Sequence, residues 1–411
     1  MTRAVITGAG IVTPIAQSPA ALHRTLCDGT SAVTQVSRFQ TASLPCHLGA
    51  AVATETIDAE LGGRPPAAID RAGRLTLVAA QRAAAAARIP KDATANVGMV
   101  LGTMFSGAST IAAFDKRAQA AGPDCASPLD FANTVLNAAA GQAAIRLALR
   151  GVNSTIAGGH ASGLQAIAYG ADLIVAARSM TVLAGGVEEL FAESFVGYCR
   201  SGVVCGTNGR PGHVPVPFDR RRSGLALGEA AAFVVLESRT AAAERGAPIL
   251  AEILGAASAT DPDAIERGFC DRQAIADVIV RALARAGVDA TQIDVVSAAA
   301  NGSYMADEEE AAALALVFAG RASPPPVTAI KSVTGETLGA SGPLQVIAML
   351  EAMQAEELPG IHGLADAEGC PVAAALSSAP RRLRIRTALV TAVSPDGGCC
   401  ALVLRFGGAP S

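Results

Sequence analysis

The sequence predicts an α/β fold in which mixed sheets are covered by helices on both faces. Short β-rich runs alternate with alanine-rich helical stretches along the chain, and such alternation is typical of sheets buried on both sides. Hydrophobic residues make up 51% of the 411 residues and charged residues 17%, so we expect a large buried core. A polar segment that ends at Ala247-Pro248 divides the chain near its middle. We therefore expect two similar halves.

The individual elements follow from runs of aliphatic residues for strands and from helical periodicity for helices. The predicted strands cover residues 4–6, 97–101, 154–157, 180–183, 231–236, 295–298, 327–329, 389–393 and 401–405. The predicted helices cover residues 76–87, 163–177, 274–286, 307–317 and 344–356. The polar segment 237–248 and the Pro-rich loop 321–326 interrupt this pattern. The first break gives two predicted domains, 1–245 and 246–411.

The first predicted strand runs into a pattern that resembles a dinucleotide-binding loop. Gly8 and Gly10 supply two glycines at the required spacing. The third glycine is missing, however, and Pro14 stands where the phosphate-binding helix should continue. No acidic residue follows a second strand at the expected distance. We therefore expect no nucleotide site here and no cofactor.

Composition excludes several classes of function. The net charge is −4, whereas a general nucleic-acid binder needs a basic excess. No apolar run reaches the ~18–20 residues of a membrane helix, and the N-terminal residues predict a strand and turn, not a signal peptide. The nine cysteines are scattered without a CxxC spacing, so we expect neither disulfides nor a bound metal. These features predict a cytoplasmic protein that binds neither nucleic acid nor membrane.

Residues 154–170 predict a sharp turn between a strand and a helix. Gly158 and Gly159 allow the turn, and the side chain of His160 follows at the N-terminus of an amphipathic helix. The helix dipole disfavours an imidazolium, so we expect a neutral His160. A lone histidine in this position is more often a structural hydrogen-bonding group than a catalyst.

Several segments resemble the elongating β-ketoacyl-ACP synthases, where ACP is the acyl carrier protein. The family patterns are A/G-C-x-S/T-G-L-x-A at the elbow, then PFDxxRxG, GEGAGxxVLE, AHGT, KSxxGHxxGAAG and a late GFGGxN loop. The matching segments here are STIAGGHASGLQA at 154–166, PFDRRRSG at 217–224, GEAAAFVVLE at 228–237, VVSAAANGS at 295–303, KSVTGETLGASG at 331–342 and Gly397-Gly398. The resemblance covers nearly the whole chain. It implies a thiolase-like, five-layered α-β-α-β-α sandwich of two similar halves.

The sequence departs from this family at three catalytic positions. The resemblance implies a cysteine that carries the acyl chain and two histidines that assist decarboxylation; these positions hold His160, Asn301 and Glu336, and Lys331 alone is retained. An imidazole holds no durable thioester, and a carboxylate at 336 repels a malonyl carboxylate. We expect an ion pair between Lys331 and Glu336, and no intact catalytic site.

A ketosynthase-like chain without its nucleophile is similar to the chain length factors, the KSβ subunits of type II polyketide synthases. The resemblance implies a heterodimer with an active Cys-His-His ketosynthase, and a shared tunnel for chains carried by ACP. Typical chain length factors have glutamine at the position of His160. Because this chain departs from that residue, the resemblance does not decide between aromatic and reducing (polyene) pathways. The resemblance places tunnel or gate residues at Met104, Phe105, Ala108, Ile111, Phe114 and Asp396.

The sequence also contains two basic clusters and leaves two alternative functions open. We expect internal ion pairs for Arg220–Arg222, whereas the alternating arginines at 382, 384 and 386 predict an exposed rim that could face an acidic ACP. In the first alternative, His160 oriented by Glu336 or Asn301 acts as a base for malonyl-ACP decarboxylation, acyl transfer or thioester hydrolysis. In the second, the chain is a structural homodimer without a role in acyl chemistry.

Overall fold

The computed structural model describes residues 3–62, 69–90, 93–207 and 215–407. The strands in these ranges are β1 (Ala4–Val12), β2 (Thr34–Gln35), β3 (Leu48–Ala50), β4 (Val97–Gly102), β5 (Asn153–Ile156), β6 (Thr181–Glu188), β7 (Leu227–Gly228), β8 (Ala230–Ser238), β9 (Ala251–Thr260), β10 (Val295–Ser297), β11 (Val327–Thr328), β12 (Glu357–Leu358), β13 (Arg381–Arg382), β14 (Thr387–Val393) and β15 (Gly398–Phe406). The α-helices are α1 (Pro19–Asp28), α2 (Thr54–Glu60), α3 (Arg71–Ala86), α4 (Ala108–Ala121), α5 (Pro128–Phe131), α6 (Ala138–Arg146), α7 (Ser162–Val175), α8 (Ala192–Ser201), α9 (Arg239–Glu244), α10 (Ala264–Arg267), α11 (Arg272–Ala286), α12 (Tyr304–Val317), α13 (Lys331–Thr334) and α14 (Ser341–Ala355). Within the described ranges, no helix combines the length and apolarity needed to cross a bilayer.

Ten of these strands form one mixed sheet in the order β11-β10-β14-β15-β9-β1-β8-β6-β4-β5. Each half of the chain contributes five strands. When the five strands of a half are numbered along the chain, their order in the sheet, counted outward from β1 or from β9, is first, fifth, fourth, second, third. In each half the fifth strand is antiparallel to both neighbours, and the remaining pairs are parallel. The halves join where β1 pairs with β9, at Val5–Glu252 and Ile6–Ala251. This repeat confirms the prediction of two similar halves, and the predicted boundary at 245 falls between α9 and β9.

Three helical layers cover the two halves of the sheet. The central helices α7 and α14 contact each other and strands of both halves, and Leu164, Ile167, Leu344 and Ile347 are fully buried between them. On the outer faces, α3 and α6 cover the first half, and α11 and α12 cover the second. The arrangement is the predicted five-layered α-β-α-β-α sandwich.

Every predicted strand and helix overlaps an observed one, but several elements have no counterpart in the prediction. The longest strand among these is β9, with the sequence AEILGAASAT. Alanine, glycine and serine have little β propensity, yet β9 pairs along its whole length with β15. The helices α1, α4, α6 and α8 are also absent from the prediction. β9 is a strand because it pairs with β15, and local propensity does not predict such a tertiary contact.

The two glycines of the apparent nucleotide loop lie in the middle of β1. The strand continues to Val12, so Gly8 and Gly10 are extended and form no phosphate-binding turn. A Cβ on Gly10 would lie 2.3 Å from backbone atoms of Ala79 and Ala83 in α3. These glycines therefore allow α3 to pack closely on the sheet.

Candidate active site

The predicted elbow lies directly after β5. Gly159 adopts a left-handed φ of +57°, and a 3₁₀ turn over Gly159–Ala161 leads into α7. A Cβ at residue 159 would lie 2.2 Å from Ser394 Oγ and 2.5 Å from Asp396 Oδ2, so only glycine fits. The backbone N of His160 donates a 3.0 Å hydrogen bond to Ser394 Oγ. The loop after β14 thus fixes the elbow and directs the His160 side chain inward.

The imidazole of His160 is enclosed, with 2% of the side chain exposed. Its Nε2 is hydrogen-bonded to Tyr198 Oη at 2.8 Å, and the two rings stack with centroids 6.1 Å apart. Its Nδ1 lies 3.5 Å from Glu336 Oε2, which is longer than a good hydrogen bond. Burial, together with the negative charge of Glu336, raises the pKa of Tyr198 well above its ordinary value. The phenol therefore stays protonated beside the imidazole.

Glu336 is the centre of the site and is completely buried. Its Oε2 accepts hydrogen bonds of 2.8 Å from Lys331 Nζ and from Asn301 Nδ2. Its Oε1 accepts from the backbone N of Leu338 at 2.9 Å and from Ser341 Oγ at 2.6 Å. Burial alone would raise the pKa of Glu336. The charge of Lys331 and the nearby His160 overcome this effect and hold that pKa well below its usual range.

Lys331 forms the ion pair with Glu336 that the sequence predicted, at 2.8 Å and with 3% of the lysine side chain exposed. Its Nζ also donates to the carbonyl oxygen of Ala299 at 2.6 Å. The ammonium occupies the position that a metal cation would take against this carboxylate. The site is thus neutralised by the chain's own charges.

Two further carboxylates hold the loop that carries Asn301. Asp307 accepts from the backbone N of Asn301 at 2.9 Å and of Gly302 at 3.1 Å, and Glu310 accepts from the backbone N of Ala299 at 2.8 Å. Both carboxyl groups are fully buried, and burial raises the pKa of each. These two carboxylates therefore position the loop.

A third buried carboxylate, Glu188 at the end of β6, holds the opposite wall. It accepts backbone hydrogen bonds from Met104 at 2.9 Å, Phe105 at 2.7 Å and Gly339 at 3.1 Å. Burial raises the pKa of Glu188 to about 7, although these N–H donors oppose the shift. Glu188 links the loop after β4 to the turn before α14.

We expect the free energy of unfolding to fall between about pH 5 and pH 8, and Glu188→Gln to flatten this profile. A carboxyl group whose pKa is raised by folding holds more protons in the folded state, so stability is lost as the pH rises through the folded value. With a pKa near 7 against 4.5, ionised Glu188 destabilises the fold by about 3 kcal/mol. Urea unfolding at several pH values measures the slope. The exposed Glu55→Gln is the matched control, and a Glu188→Gln profile parallel to the parent's would contradict the assignment.

The predicted tunnel and gate residues fall into two groups. Met104 and Phe105 lie at the site: the Sδ of Met104 accepts a 3.5 Å hydrogen bond from Tyr198 Oη, and the ring of Phe105 meets the Tyr198 ring edge-on at 6.3 Å. The other group lies on the surface of this chain. Its members are Ala108, Ile111 and Phe114 on the partly exposed helix α4, and Asp396 in the exposed loop that faces Gly159.

The arginines at 220–222 all have acidic or carbonyl partners. Arg220 pairs with Asp366 at 2.7 Å, and Arg221 pairs with the Asp219 carboxylate at 2.8 Å. Arg222 donates instead to the backbone carbonyls of Asp219 and Tyr304. The expected internal pairing is therefore present, with Arg221 and not Arg222 bound to the Asp219 carboxylate.

The site holds polar groups without an available nucleophile at the elbow. All nine cysteines are free thiols, and none of them stands at position 160. The nearest hydroxyl in sequence, Ser162 Oγ, donates to the Gly159 carbonyl at 2.8 Å. The arrangement can bind a proton or donate hydrogen bonds, but it presents no group that forms a stable thioester.

Four residues of the site are absent from the sequence prediction: Tyr198, Ser341, Ser394 and Glu188. Ser341 lies within the KSVTGETLGASG segment, so that motif contained a signal for it. Tyr198 and Ser394 come from α8 and from the loop after β14, and no motif spacing relates them to His160. Tyr198 reaches His160 through packing within the first half, and Ser394 reaches it through the packing of the second half against the first.

Comparison with known proteins finds family matches along most of the chain. The family described as "Beta-ketoacyl synthase, N-terminal domain" matches residues 1–242, and "Beta-ketoacyl synthase, C-terminal domain" matches residues 250–365. The chain is 32% identical to "Putative polyketide beta-ketoacyl synthase 2" of Streptomyces halstedii, over 99% of this chain and 98% of that protein. It is 28% identical to "3-oxoacyl-(acyl-carrier-protein) synthase 2" of Coxiella burnetii (strain RSA 493 / Nine Mile phase I), over 98% of each chain.

A solved structure also matches over almost the full length. "The ishigamide ketosynthase/chain length factor" superposes with a TM-score of 0.90 at 27% identity, over 99% of this chain and 100% of that chain. Two family domains thus account for most of the sequence, and the fold agrees with that of a family structure. The chain belongs to the beta-ketoacyl synthase family.

Proposed function

We propose that this protein is a catalytically degenerate, chain length factor-like ketosynthase subunit that acts with an active Cys-His-His ketosynthase on ACP-bound chains. One observation supports the proposal: at the elbow, where the resemblance implies the nucleophile, lies an enclosed imidazole that is hydrogen-bonded to Tyr198. The neighbouring Glu336 is bound to Lys331 and Asn301. Lys331 and Asn301 thus satisfy the carboxylate of Glu336, and no thiol lies at the elbow.

The electrostatics of the site support the same conclusion. Condensation develops negative charge on an enolate and an oxyanion, and an active site must supply hydrogen-bond donors or positive charge there. Here the pKa of Glu336 is held well below its usual range, chiefly by Lys331 against the effect of burial. A fixed carboxylate at this position repels a malonyl carboxylate, and the charge of Lys331 is already used.

A surface next to the site supports a partner of the same fold. The segment from α4 to α6 exposes Leu129 (74%), Phe131 (61%) and Ile145 (76%), and β5 forms one edge of the ten-stranded sheet. An apolar face beside a free strand edge is typical of a protein–protein interface. We propose that the catalytic subunit covers this face. Residues Ala108, Ile111 and Phe114 of α4 would then line the shared tunnel with Met104 and Phe105.

The exposed arginines near the C-terminal end form a positively charged surface to which we assign the carrier protein. Arg382, Arg384 and Arg386 are exposed and alternate along the chain. Arg382 and Arg384 lie 3.7 Å and 3.9 Å from Glu357 and Glu356, and such exposed pairs are weak. We propose that this rim steers an acidic ACP toward the heterodimer.

The test is co-expression with a Cys-His-His ketosynthase encoded beside this chain. Each protein alone and the purified pair are assayed for elongation with malonyl-loaded ACP, and products are identified by mass spectrometry. We expect activity only in the pair. It should survive His160→Ala in this chain and be abolished when the partner's catalytic cysteine is replaced by alanine.

The same assay tests the alternative of a residual enzyme at His160. The 3.5 Å approach of His160 Nδ1 to Glu336 is the observation that favours it, because a carboxylate can orient an imidazole base. Decarboxylation, acyl transfer or thioester hydrolysis by this chain alone, lost on His160→Ala, would overturn the proposal and establish this alternative. Against it, Tyr198 already binds Nε2 and the ring is enclosed.

A further inference from the structure

A cluster of metal-ligand side chains lies between α1 and β12, away from the His160 site. His23 and Cys27 are one turn apart on α1, and Glu357 is the first residue of β12. His23 Nε2 lies 3.6 Å from Cys27 Sγ and 3.9 Å from Glu357 Oε2. One ligand atom from each of the three residues lies within 4.8 Å of the others. The spacing i, i+4 places both α1 ligands on the same helix face.

The His23–Cys27 separation matches one edge of a zinc tetrahedron, and the separations that involve Glu357 are longer. Zn²⁺ binds imidazole nitrogen at about 2.0–2.1 Å, thiolate at about 2.3 Å and carboxylate oxygen at about 2.0–2.2 Å. Tetrahedral angles then give an N···S edge of about 3.6 Å and an N···O edge of about 3.4 Å. The His23–Cys27 distance agrees with the first value. The carboxylate needs to move by a few tenths of an ångström, and Glu357, with 27% of its side chain exposed, has room to do so.

His23 is buried and presents one ring nitrogen to the cluster. Its side chain is 9% exposed, and its Nε2 faces Cys27 and Glu357, whereas Nδ1, on the other side of the ring, has no hydrogen-bond partner among the described residues. In the part of the chain that the structure describes, the ring has polar contacts only with Cys27 and Glu357. At 3.9 Å the carboxylate is too far for a hydrogen bond. Glu357 directs its other oxygen, Oε1, toward Arg382 at 3.7 Å, which leaves Oε2 facing the histidine.

We propose that His23, Cys27 and Glu357 bind one Zn²⁺ ion, with water as the fourth ligand. Histidine and cysteine are the ligands that zinc prefers, and three protein ligands with one open position are a common zinc arrangement. The ion would join α1 of the first half to β12 of the second, next to the contact between α1 and α14. This site is independent of the proposed function at His160.

The test uses the purified full-length chain, freed of metal with a chelator and titrated with ZnCl₂ or CoCl₂. We expect one metal ion per chain, a melting temperature that rises with ZnCl₂ concentration, and the charge-transfer absorption of a Co²⁺–thiolate bond. Cys27→Ser should abolish that absorption. Cys27→Ser and His23→Gln should each weaken zinc binding at least ~10-fold, since loss of an outer-shell partner alone costs about 10–100-fold. Cys125→Ser, at an exposed thiol outside the cluster, is the matched control.

A further variant keeps the test valid if a helix substitution unfolds α1. Glu357→Gln changes a partly exposed side chain on β12 and leaves α1 unaltered, and it too should weaken zinc binding at least ~10-fold. Circular dichroism of each metal-free variant establishes that it is folded. The proposal is overturned if the parent chain binds no stoichiometric zinc, or if the folded Glu357→Gln and Cys27→Ser variants bind it as tightly as the parent. Binding that is lost instead in Cys125→Ser also overturns it.

Discussion

Replacing Lys331 with methionine is expected to lower the free energy of unfolding by about 3–5 kcal/mol. The ammonium lies 2.8 Å from Glu336 Oε2, and both side chains are almost completely buried. Removing one partner of a buried ion pair leaves the other charge without compensation in a medium of low polarity. Asn301, Leu338 and Ser341 still donate to Glu336, but none of them carries a positive charge. Urea denaturation of the parent and Lys331→Met measures the difference.

The double variant Lys331→Met, Glu336→Gln is the control. It removes both charges, and a buried pair replaced by neutral groups of similar volume is often as stable as the original. We therefore expect the double variant to recover most of the stability that Lys331→Met loses. If Lys331→Met instead changes the unfolding free energy by less than about 1 kcal/mol, the ion pair does not hold the site together. The hydrogen bonds to Glu336 would then suffice.

The three substituted positions form one network, and this explains how they coexist. His160, Asn301 and Lys331 all face Glu336 Oε2. A buried carboxylate needs several donors to remain ionised, and one of them, Asn301 Nδ2, comes from another position that departs from the family motif. A glutamate at 336 is therefore compatible with the neighbours that this chain has. It is incompatible with the binding of a second carboxylate.

The elbow was predictable because its signal is local. Two glycines between a strand and an amphipathic helix predict a sharp turn. The positive φ of Gly159 lies within that short segment. The ion pair of Lys331 with Glu336 was predictable for the same reason, since one motif carries both residues. Tyr198 and Ser394 were not predictable, because both reach His160 only through tertiary packing: α8 within the first half, and the loop after β14 from the second half.

The prediction of the strands likewise succeeded where local sequence determines the structure and failed where long-range contacts do. Strands rich in valine, isoleucine and leucine were identified, whereas β9 was missed because its alanines and serines become a strand only beside β15. The cluster of His23, Cys27 and Glu357 has no spacing motif for a related reason. Its ligands come from opposite ends of the chain and meet where α1 lies against β12.

Introducing the cysteine and the two histidines that the family motifs imply is expected to raise malonyl-ACP decarboxylation by this chain at least ~10²-fold over the parent. The change is the triple substitution His160→Cys, Asn301→His and Glu336→His. It places a thiol at the elbow, where the helix dipole stabilises a thiolate, and it removes the carboxylate that repels the substrate. Lys331 still has Glu310 as an acidic neighbour in this variant. In the parent, the charge of Lys331 lowers the pKa of Glu310 against the rise that burial causes. Mass spectrometry of the carrier protein measures conversion of malonyl to acetyl groups.

His160→Cys alone is the informative control for this gain. That variant has the thiol but retains Glu336, whose negative charge remains beside any bound malonyl group, and we expect it to decarboxylate no faster than the parent. A parent chain that already matches the triple variant would mean that His160 and Glu336 form a working site. If the single variant equals the triple variant, the missing thiol alone disables the chain and the carboxylate at 336 is harmless. Only a gain that requires removal of Glu336 supports the view that this residue excludes malonyl chemistry from the site.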